Sequence, residues 1–284
     1  MIPSPTATGA LAAAHDGIRA RIGALYPRRP RGESVTSRAR AQTEGERSRG
    51  CVHEAWLRSV SDTPANVEVR AALLEGGVTV LGPPQAFVAA TPPGLNSSIF
   101  VVGPADMALL RQAAQADPEA EVIASAATVA SWAALPAGAR RAVIHELPGA
   151  LENVAPHPSL LLQASDAARL ASVPDAELRA ELEEAIQAGP LAIALAGEAL
   201  AAFCYAGSVT ETLWDISIDT LPAYRRRGLA GAAVASLAEL HAAAGRRPIW
   251  GAEVSNAGSM GLAARLGFRP VDEVWLWRAA DLLR

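Results

Sequence analysis

Trp214-Asp215-Ile216-Ser217-Ile218-Asp219-Thr220-Leu221-Pro222-Ala223-Tyr224-Arg225-Arg226-Arg227-Gly228-Leu229-Ala230-Gly231 is the stretch whose reading decides the fold. From Leu213 to Thr220 apolar and polar residues alternate, with Trp214, Ile216 and Ile218 on one face and Asp215, Ser217 and Asp219 on the other. That is the period of a strand. A tight arginine-rich turn follows, and an Ala-rich helix begins at once, running from Leu229 to about Ala244. The first turn of such a helix carries unpaired N–H groups and the positive end of the helix dipole, so it can hold an anion such as a pyrophosphate. Gly228, Ala230 and Gly231 are small enough for phosphate oxygens to approach the main chain. Arg225, Arg226 and Arg227 add positive charge and forked donors. By itself the pattern equally describes an ordinary helix start with surface arginines.

Downstream, the sequence predicts a strand at Pro248–Val254, a helix at about Ala257–Leu266 and a last strand near Val271–Trp277. Upstream, Pro174-Asp175 opens a helix over Ala176–Ala188 that Gly189-Pro190 closes. Leu191–Ala196 and Ala199–Ala206 read as paired strands. The run from Gly189 to Gly207 approaches the ~20 apolar residues of a membrane span, but Gly197-Glu198 lies where a two-residue hairpin turn belongs. Ser159–Ala164 reads as a short strand, and Ser165-Asp166 caps a helix to about Ser172.

Residues 1–50 are rich in Arg, Ser, Gly, Glu and Pro and poor in large apolar side chains, so they read as a disordered tail. Residues 51–157 read as a smaller α/β domain that completes a neighbour. Val52–Val60 is a candidate short helix, Gly77–Gly82 and Ile99–Gly103 are candidate strands, and Ala105–Ala116 is a helix begun by Pro104. Val122–Trp132 and Arg141–Leu147 are elements of undetermined type. Residues 158–284 form the second domain.

The 284 residues carry a net charge of −4, 25 basic residues that are all arginine, and two cysteines. The lack of lysine reflects GC-rich coding. Cys51 and Cys204 form no disulfide framework, and no metal-ligand spacing occurs, so no metal is expected. The segment carries no recognisable secretory signal, which reads as a cytoplasmic protein. Nucleic-acid and membrane partners are not expected; a homodimer is compatible with the sequence.

The arginine turn gains meaning from a second segment. Twenty-five residues beyond Gly231, Asn256-Ala-Gly-Ser-Met-Gly-Leu-Ala-Ala-Arg-Leu-Gly-Phe268 begins. Together the two resemble the signatures of the GNAT (GCN5-related N-acetyltransferase) superfamily: Q/R-x-x-G-x-G/A, met by Arg225, Gly228 and Ala230, and N-x-x-S/A followed by L-G-F. The wording around Phe203–Gly207 and Trp214–Thr220 further resembles zwittermicin-resistance-type GNAT proteins, in which an extra N-terminal domain precedes the acetyltransferase domain. The resemblance covers residues 158–284. It implies an α/β (α+β) GNAT fold, a mixed central sheet flanked by helices, and an acetyl-CoA-dependent transfer of an acetyl group to a small-molecule amine by direct attack. It further implies that Ile218, Asp219 and Thr220 pair with the pantetheine amides and that Arg225 to Gly231, Leu229 included, hold the pyrophosphate. Asn256 and Ser259 would lie near the thiol end.

The chemistry of the transfer requires a base for the amine and a proton for the departing thiolate. Where many GNAT enzymes place a tyrosine, seven residues after the asparagine, this chain has Ala263. The candidate catalytic residues are Glu211, Asp215 and Ser259, with Glu253 a weaker one. Glu211 equally reads as a polar hairpin residue, and Asp215 as a structural hydrogen-bond acceptor. The alternative to an enzyme is a non-catalytic acyl-CoA-binding sensor. Only 16 residues follow Phe268, too few for the family's usual closing hairpin, so the N-terminal domain is expected to supply the missing wall over the acceptor site.

Overall fold

The computed structural model describes residues 54–94 and 97–283. The tail reading for residues 1–50, and Cys51, lie outside the described residues. Residues 54–59 are helical, within the segment expected to be. Then come α1 (Val67–Glu75), β1 (Thr79–Leu81), β2 (Phe87–Ala90), β3 (Ser98–Val102), α2 (Met107–Ala116), β4 (Glu121–Ser125), α3 (Ala126–Val129) and β5 (Arg140–Glu146). The second half contributes β6 (Ser159–Leu162), α4 (Ala176–Ala188), β7 (Leu191–Ala196), β8 (Ala199–Val209) and β9 (Leu213–Thr220). It continues with α5 (Leu229–Ala243), β10 (Arg247–Glu253), α6 (Ala257–Arg265) and β11 (Arg269–Arg278).

These strands join in one mixed sheet, in the order β1-β2-β3-β4-β11-β5-β10-β9-β8-β7-β6, flanked by helices. The β3/β4 and β9/β10 pairs are parallel and the remaining neighbours antiparallel. The apolar run at 189–207 is the β7–β8 hairpin, turned at Gly197 with φ 65°, a conformation that glycine adopts freely.

Hydrogen bonding runs straight across the boundary between the two halves. β5 lies between β10 and β11, pairing with β10 from Ile249↔Glu146 to Glu253↔Ala142 and with β11 from Arg269↔Glu146 to Leu276↔Arg140. β11 in turn pairs with β4. A strand that precedes residue 157 therefore stands beside β11.

Each face of the sheet is covered by helices, and the alternation of side chains assigns residues to faces. On one face α5 packs on Ala192, Cys204, Trp214, Ile216, Trp250 and Phe268. Farther along, α2 covers Ile99, Val101, Val122 and Trp277. On the opposite face α4 covers Leu191, Ile193 and Phe203, while Val67 of α1 packs with Ala142, Ile144, Leu213, Ile249 and Val274. His241, on α5, stacks on Trp214 with ring centroids 4.4 Å apart. Burial, with the charge of Arg246 beside it, lowers its pKa to about 4, so it is neutral and part of the core.

Some readings change. The segment expected as a helix to Ser172 is a 3₁₀ run, Ala164–Ser172, burying Leu170. The expected element Val122–Trp132 splits at Ser125, whose side chain accepts from the Thr128 N–H and so starts α3 where β4 stops. Neither α1 nor β2 was anticipated.

Removing the first 155 residues removes β5 and β4, leaving β10 and β11 with no common partner. A fragment of residues 156–284 is expected to be insoluble or to lack a cooperative thermal transition by calorimetry. A soluble fragment with a sharp transition would show that the two halves fold independently.

Candidate functional site

Two cavities flank β9, on opposite faces of the sheet. The first, about 380 Å³, is walled by the end of β9 (Ile218, Asp219, Thr220), the turn from Tyr224 to Gly231, and Asn256, Ser259 and Arg265 on α6. Every residue expected to hold the cofactor lines it: Ile218, Asp219, Thr220, Arg225, Arg226, Arg227, Gly228, Leu229, Ala230, Gly231, Asn256 and Ser259.

The turn has a backbone shape that the sequence did not disclose. Pro222–Tyr224 form one 3₁₀ turn, Arg225 is extended, and Arg226 takes φ 59°. Gly228 follows at φ 82° and N-caps α5. A left-handed arginine costs about 1–2 kcal/mol relative to the right-handed region. Left-handed residues interleaved with right-handed or extended ones turn successive N–H groups toward one point, which is how a main chain cradles an anion. Arg225 is tied back by its Nε–H donating to Thr220 O at 3.0 Å, while Arg226 and Arg227 remain exposed.

The turn is braced from behind by the segment joining β5 to β6. His157 Nε2 lies 2.7 Å from Arg227 O. A Cβ added at Gly228 would stand 2.9 Å from the Ala155 Cβ. The same segment holds the far side of the cavity, where Asn153 Nδ2 donates to Arg265 O and the Glu152 N–H donates to Leu266 O. His157 is thus a supporting residue of the turn. Its signal is invisible without the fold, since it lies 70 positions from its partner.

On α6, Asn256 Oδ1 accepts from the Ser259 N–H at 3.0 Å, an N-cap worth about 1 kcal/mol. Ser259 Oγ accepts from Trp250 Nε1 at 2.9 Å, which leaves its own proton free to point into the cavity. Ala263 is fully buried and offers no group to the site.

β9 and β10 pair only from Leu213↔Arg247 to Asp215↔Ile249. Beyond that point β9 follows β8 to Thr220 and β10 follows β5 to Glu253, so the two strands part. Asp215 stands at the fork. The backbone N–H groups of Gly251 and Ile216 favour its charged form, against its burial. Gly251 is exposed in mid-strand, so nothing covers β10 there.

The second cavity, about 350 Å³, opens on the Asp215 face under the first turn of α1. Glu68 on α1 lines it with Asp215, among Val67, Phe100, Val102 and Ile144. Burial, with the charge of Glu121 adding to it, pushes the Glu68 carboxyl up to about 7. Burial and then the negative charge of Glu68 raise Asp215 well above the usual carboxylate range. Glu68 was missed because its helix was missed. The signals were Thr63-Pro64 as a start, Val67, Ala71 and Leu74 at helical spacing, and Gly76-Gly77 as a stop.

Glu211 does not join Asp215 in this cavity. Arg70 grips it with both nitrogens, Nε–Oε2 2.8 Å and Nη2–Oε1 2.7 Å, and this hydrogen-bonded pairing lowers its pKa. Glu253 pairs with Arg140 at 2.7 Å. Among the described residues no group of side chains could hold a metal ion, and no helix is long and apolar enough to cross a membrane.

The mixed sheet thus forks beside a helix start, with a turn shaped for an anion on one face. Residues 184–275 match the GNAT acetyltransferase family model. A GCN5-related N-acetyltransferase-like protein from Streptococcus suis superposes with a TM-score of 0.55 at 16% identity, over 81% of this chain and 100% of that one. A GNAT-family acetyltransferase from Colwellia psychrerythraea gives 0.54 at 13% identity, over 84% and 97%. A tandem GNAT protein from the clavulanic acid biosynthesis pathway gives 0.52 at 15%, over 81% and 95%. At these identities the likeness is one of fold. No curated protein matches the chain.

Because the folded state holds the Glu68 proton more tightly than an unfolded chain does, Glu68 contributes stability that is complete below about pH 4.5 and is lost as pH rises through about 7. Glu68→Gln should therefore gain on the wild type between pH 5 and pH 8, by up to about 3 kcal/mol in urea denaturation. A pH-independent difference would mean that Glu68 ionises normally.

Proposed function

We propose that the protein is an acetyl-CoA-dependent N-acetyltransferase acting on a small amine. The observation that carries this reading is the fork between β9 and β10, which joins an anion-cradling turn on one face of the sheet to a carboxylate-lined cavity on the other. The donor sets fit acetyl-CoA residue by residue. Amides from Arg226 to Gly231 suit a pyrophosphate. The edge of β9 at Ile218 to Thr220, freed from β10, suits the two amides of a pantetheine arm, which add to it as a short strand would. When bound, acetyl-CoA supplies an activated acyl carbonyl at the end of that arm.

The residues at the fork suit the remaining chemistry. A neutral amine forms the new C–N bond as the C–S bond breaks, so one proton must leave nitrogen and one must reach sulfur. Asp215 is placed to orient the amine at the fork. The hydroxyl of Ser259, accepting from Trp250 and free to donate, is placed to meet the thiolate. Its presence answers the lack of a proton donor at Ala263 and favours an enzyme over a non-catalytic sensor.

Acetyl-CoA at 100 times its Kd should stabilise the fold by about 2.7 kcal/mol, read as a raised melting temperature. Arg226→Glu with Arg227→Glu should weaken binding at least tenfold at low salt with little change in stability, since both side chains are exposed. Gly228 is a poorer site for this test, because a side chain there strains the fold as well. Unchanged melting of the wild type with acetyl-CoA and with CoA would reject the assignment.

A further inference from the structure

We propose that the cavity beneath α1 is the acceptor site, that it selects a compact amine on an apolar body with no anionic group, and that Glu68 is the residue that takes the amine's proton. This rests on the acetyl-CoA reading above and extends it to the acceptor.

The cavity's size is at the low end for small-molecule sites, which suits a compact acceptor rather than a folded partner. Its walls come from both halves of the chain: α1, β3 and β4 from the first, and Asp215 and Val274 from the second. The lining includes carboxylates but no arginine or histidine. An acceptor with its own carboxylate or phosphate would enter without a counter-charge, at a steep desolvation cost. An apolar body is matched by Val67, Phe100, Val102 and Ile144.

Proton transfer follows from the pairing of two carboxylates. Glu68 and Asp215 share the cavity, and the negative charge of Glu68 opposes ionisation of Asp215. Glu68, its carboxyl at about 7, is the partner that can take up and release a proton near neutral pH. The other charge acting on it is Glu121, from β4; Arg70, two residues along α1, is gripped by Glu211. An ammonium entering this enclosed, apolar cavity loses hydration, which favours its neutral form. Its proton passes to the Glu68 carboxylate and the nitrogen lone pair attacks the acyl carbon. The C–N bond forms, the C–S bond breaks and the sulfur gains a proton, giving the N-acetyl amine and CoA. The proton on Glu68 then returns to solvent through the cavity mouth.

The probes are hexylamine and 2-phenylethylamine, set against 2-phenylethanol, which lacks the amine, and phenylalanine, which adds a carboxylate. Thermal shift without acetyl-CoA reads acceptor binding alone. Thiol release from acetyl-CoA between pH 5.5 and 9 reads transfer. The two amines should raise the melting temperature and be acetylated, with phenylalanine at least tenfold poorer in kcat/KM and the alcohol inert. Glu68→Gln should bind acetyl-CoA as the wild type does, lose at least 100-fold in kcat/KM, and lose the limb of its pH profile near 7; Glu68→Asp should restore part of the rate. Val102→Trp, filling the cavity from β3, should abolish the amine shift and leave the acetyl-CoA shift intact. If acetyl-CoA binds but neither amine shifts melting, or if Glu68→Gln keeps the rate and the pH limb, the proposal is overturned. If acetyl-CoA fails to bind while the amines still protect the wild type and not Val102→Trp, the cofactor reading falls and the amine pocket stands.

Discussion

The ladder that β5 makes with its two neighbours is the constraint on which the rest of the molecule depends. β10 carries Trp250, whose indole donates to Ser259, and Gly251, whose N–H favours the charged form of Asp215. β10 can leave β9 at the fork only because β5 supplies its ladder from Ile249 to Glu253. Without that second partner the strand would expose an unpaired edge, and the free energy of its hydrogen bonds would favour closing the gap onto β9. The opening in the sheet is thus maintained by a strand from the other half of the chain.

The same dependence runs through the side chains. α1 packs Val67 onto Ile144, Leu213, Ile249 and Val274, residues drawn from β5, β9, β10 and β11. The next residue, Glu68, is carried over the fork by that packing. Its charge is expensive to hold there, since burial opposes ionisation. A group kept at such a cost in a cavity wall is typical of positions where proton affinity is tuned rather than minimised. Arg70, two residues on, illustrates the opposite outcome, its charge neutralised at the surface by a two-pronged contact with Glu211.

Local patterns carried much of the second half into view. The alternation at Leu213–Thr220, the Gly197-Glu198 turn and the small residues around Gly228 are short-range signals, and the elements formed where they stand. Much of the lining of the cavity beside the turn was legible for the same reason, because ten of the twelve expected positions fall between Ile218 and Gly231. Three things were not. The left-handed Arg226 has no residue-type signal, since arginine rarely adopts it. α1 carries apolar residues over much of its circumference, Val67, Val69, Ala71 and Leu73 all being buried, so it lacks the clear stripe that marks a surface helix. The position of β5 is a matter of topology, and nothing in Arg140–Glu146 announces a partner more than a hundred residues away. Glu211 was a reasonable candidate by its place before the central strand, but its surroundings depend on Arg70, 141 residues earlier.

That topology has a temporal side. On the ribosome, β4 and β5 are made well before β11, which must later slot between them, with both ladders formed at once. Until then the first half carries two open strand edges, the kind of surface on which nascent chains stick to one another. The sequence meets this hazard with charge: Glu121 on β4 and Arg140 and Arg141 on β5 lie along the waiting slot, and Glu273 on β11 arrives to pair with Arg141. The order of the strands along the chain therefore makes the synthesis of β11 the moment at which β4 and β5 gain their common neighbour.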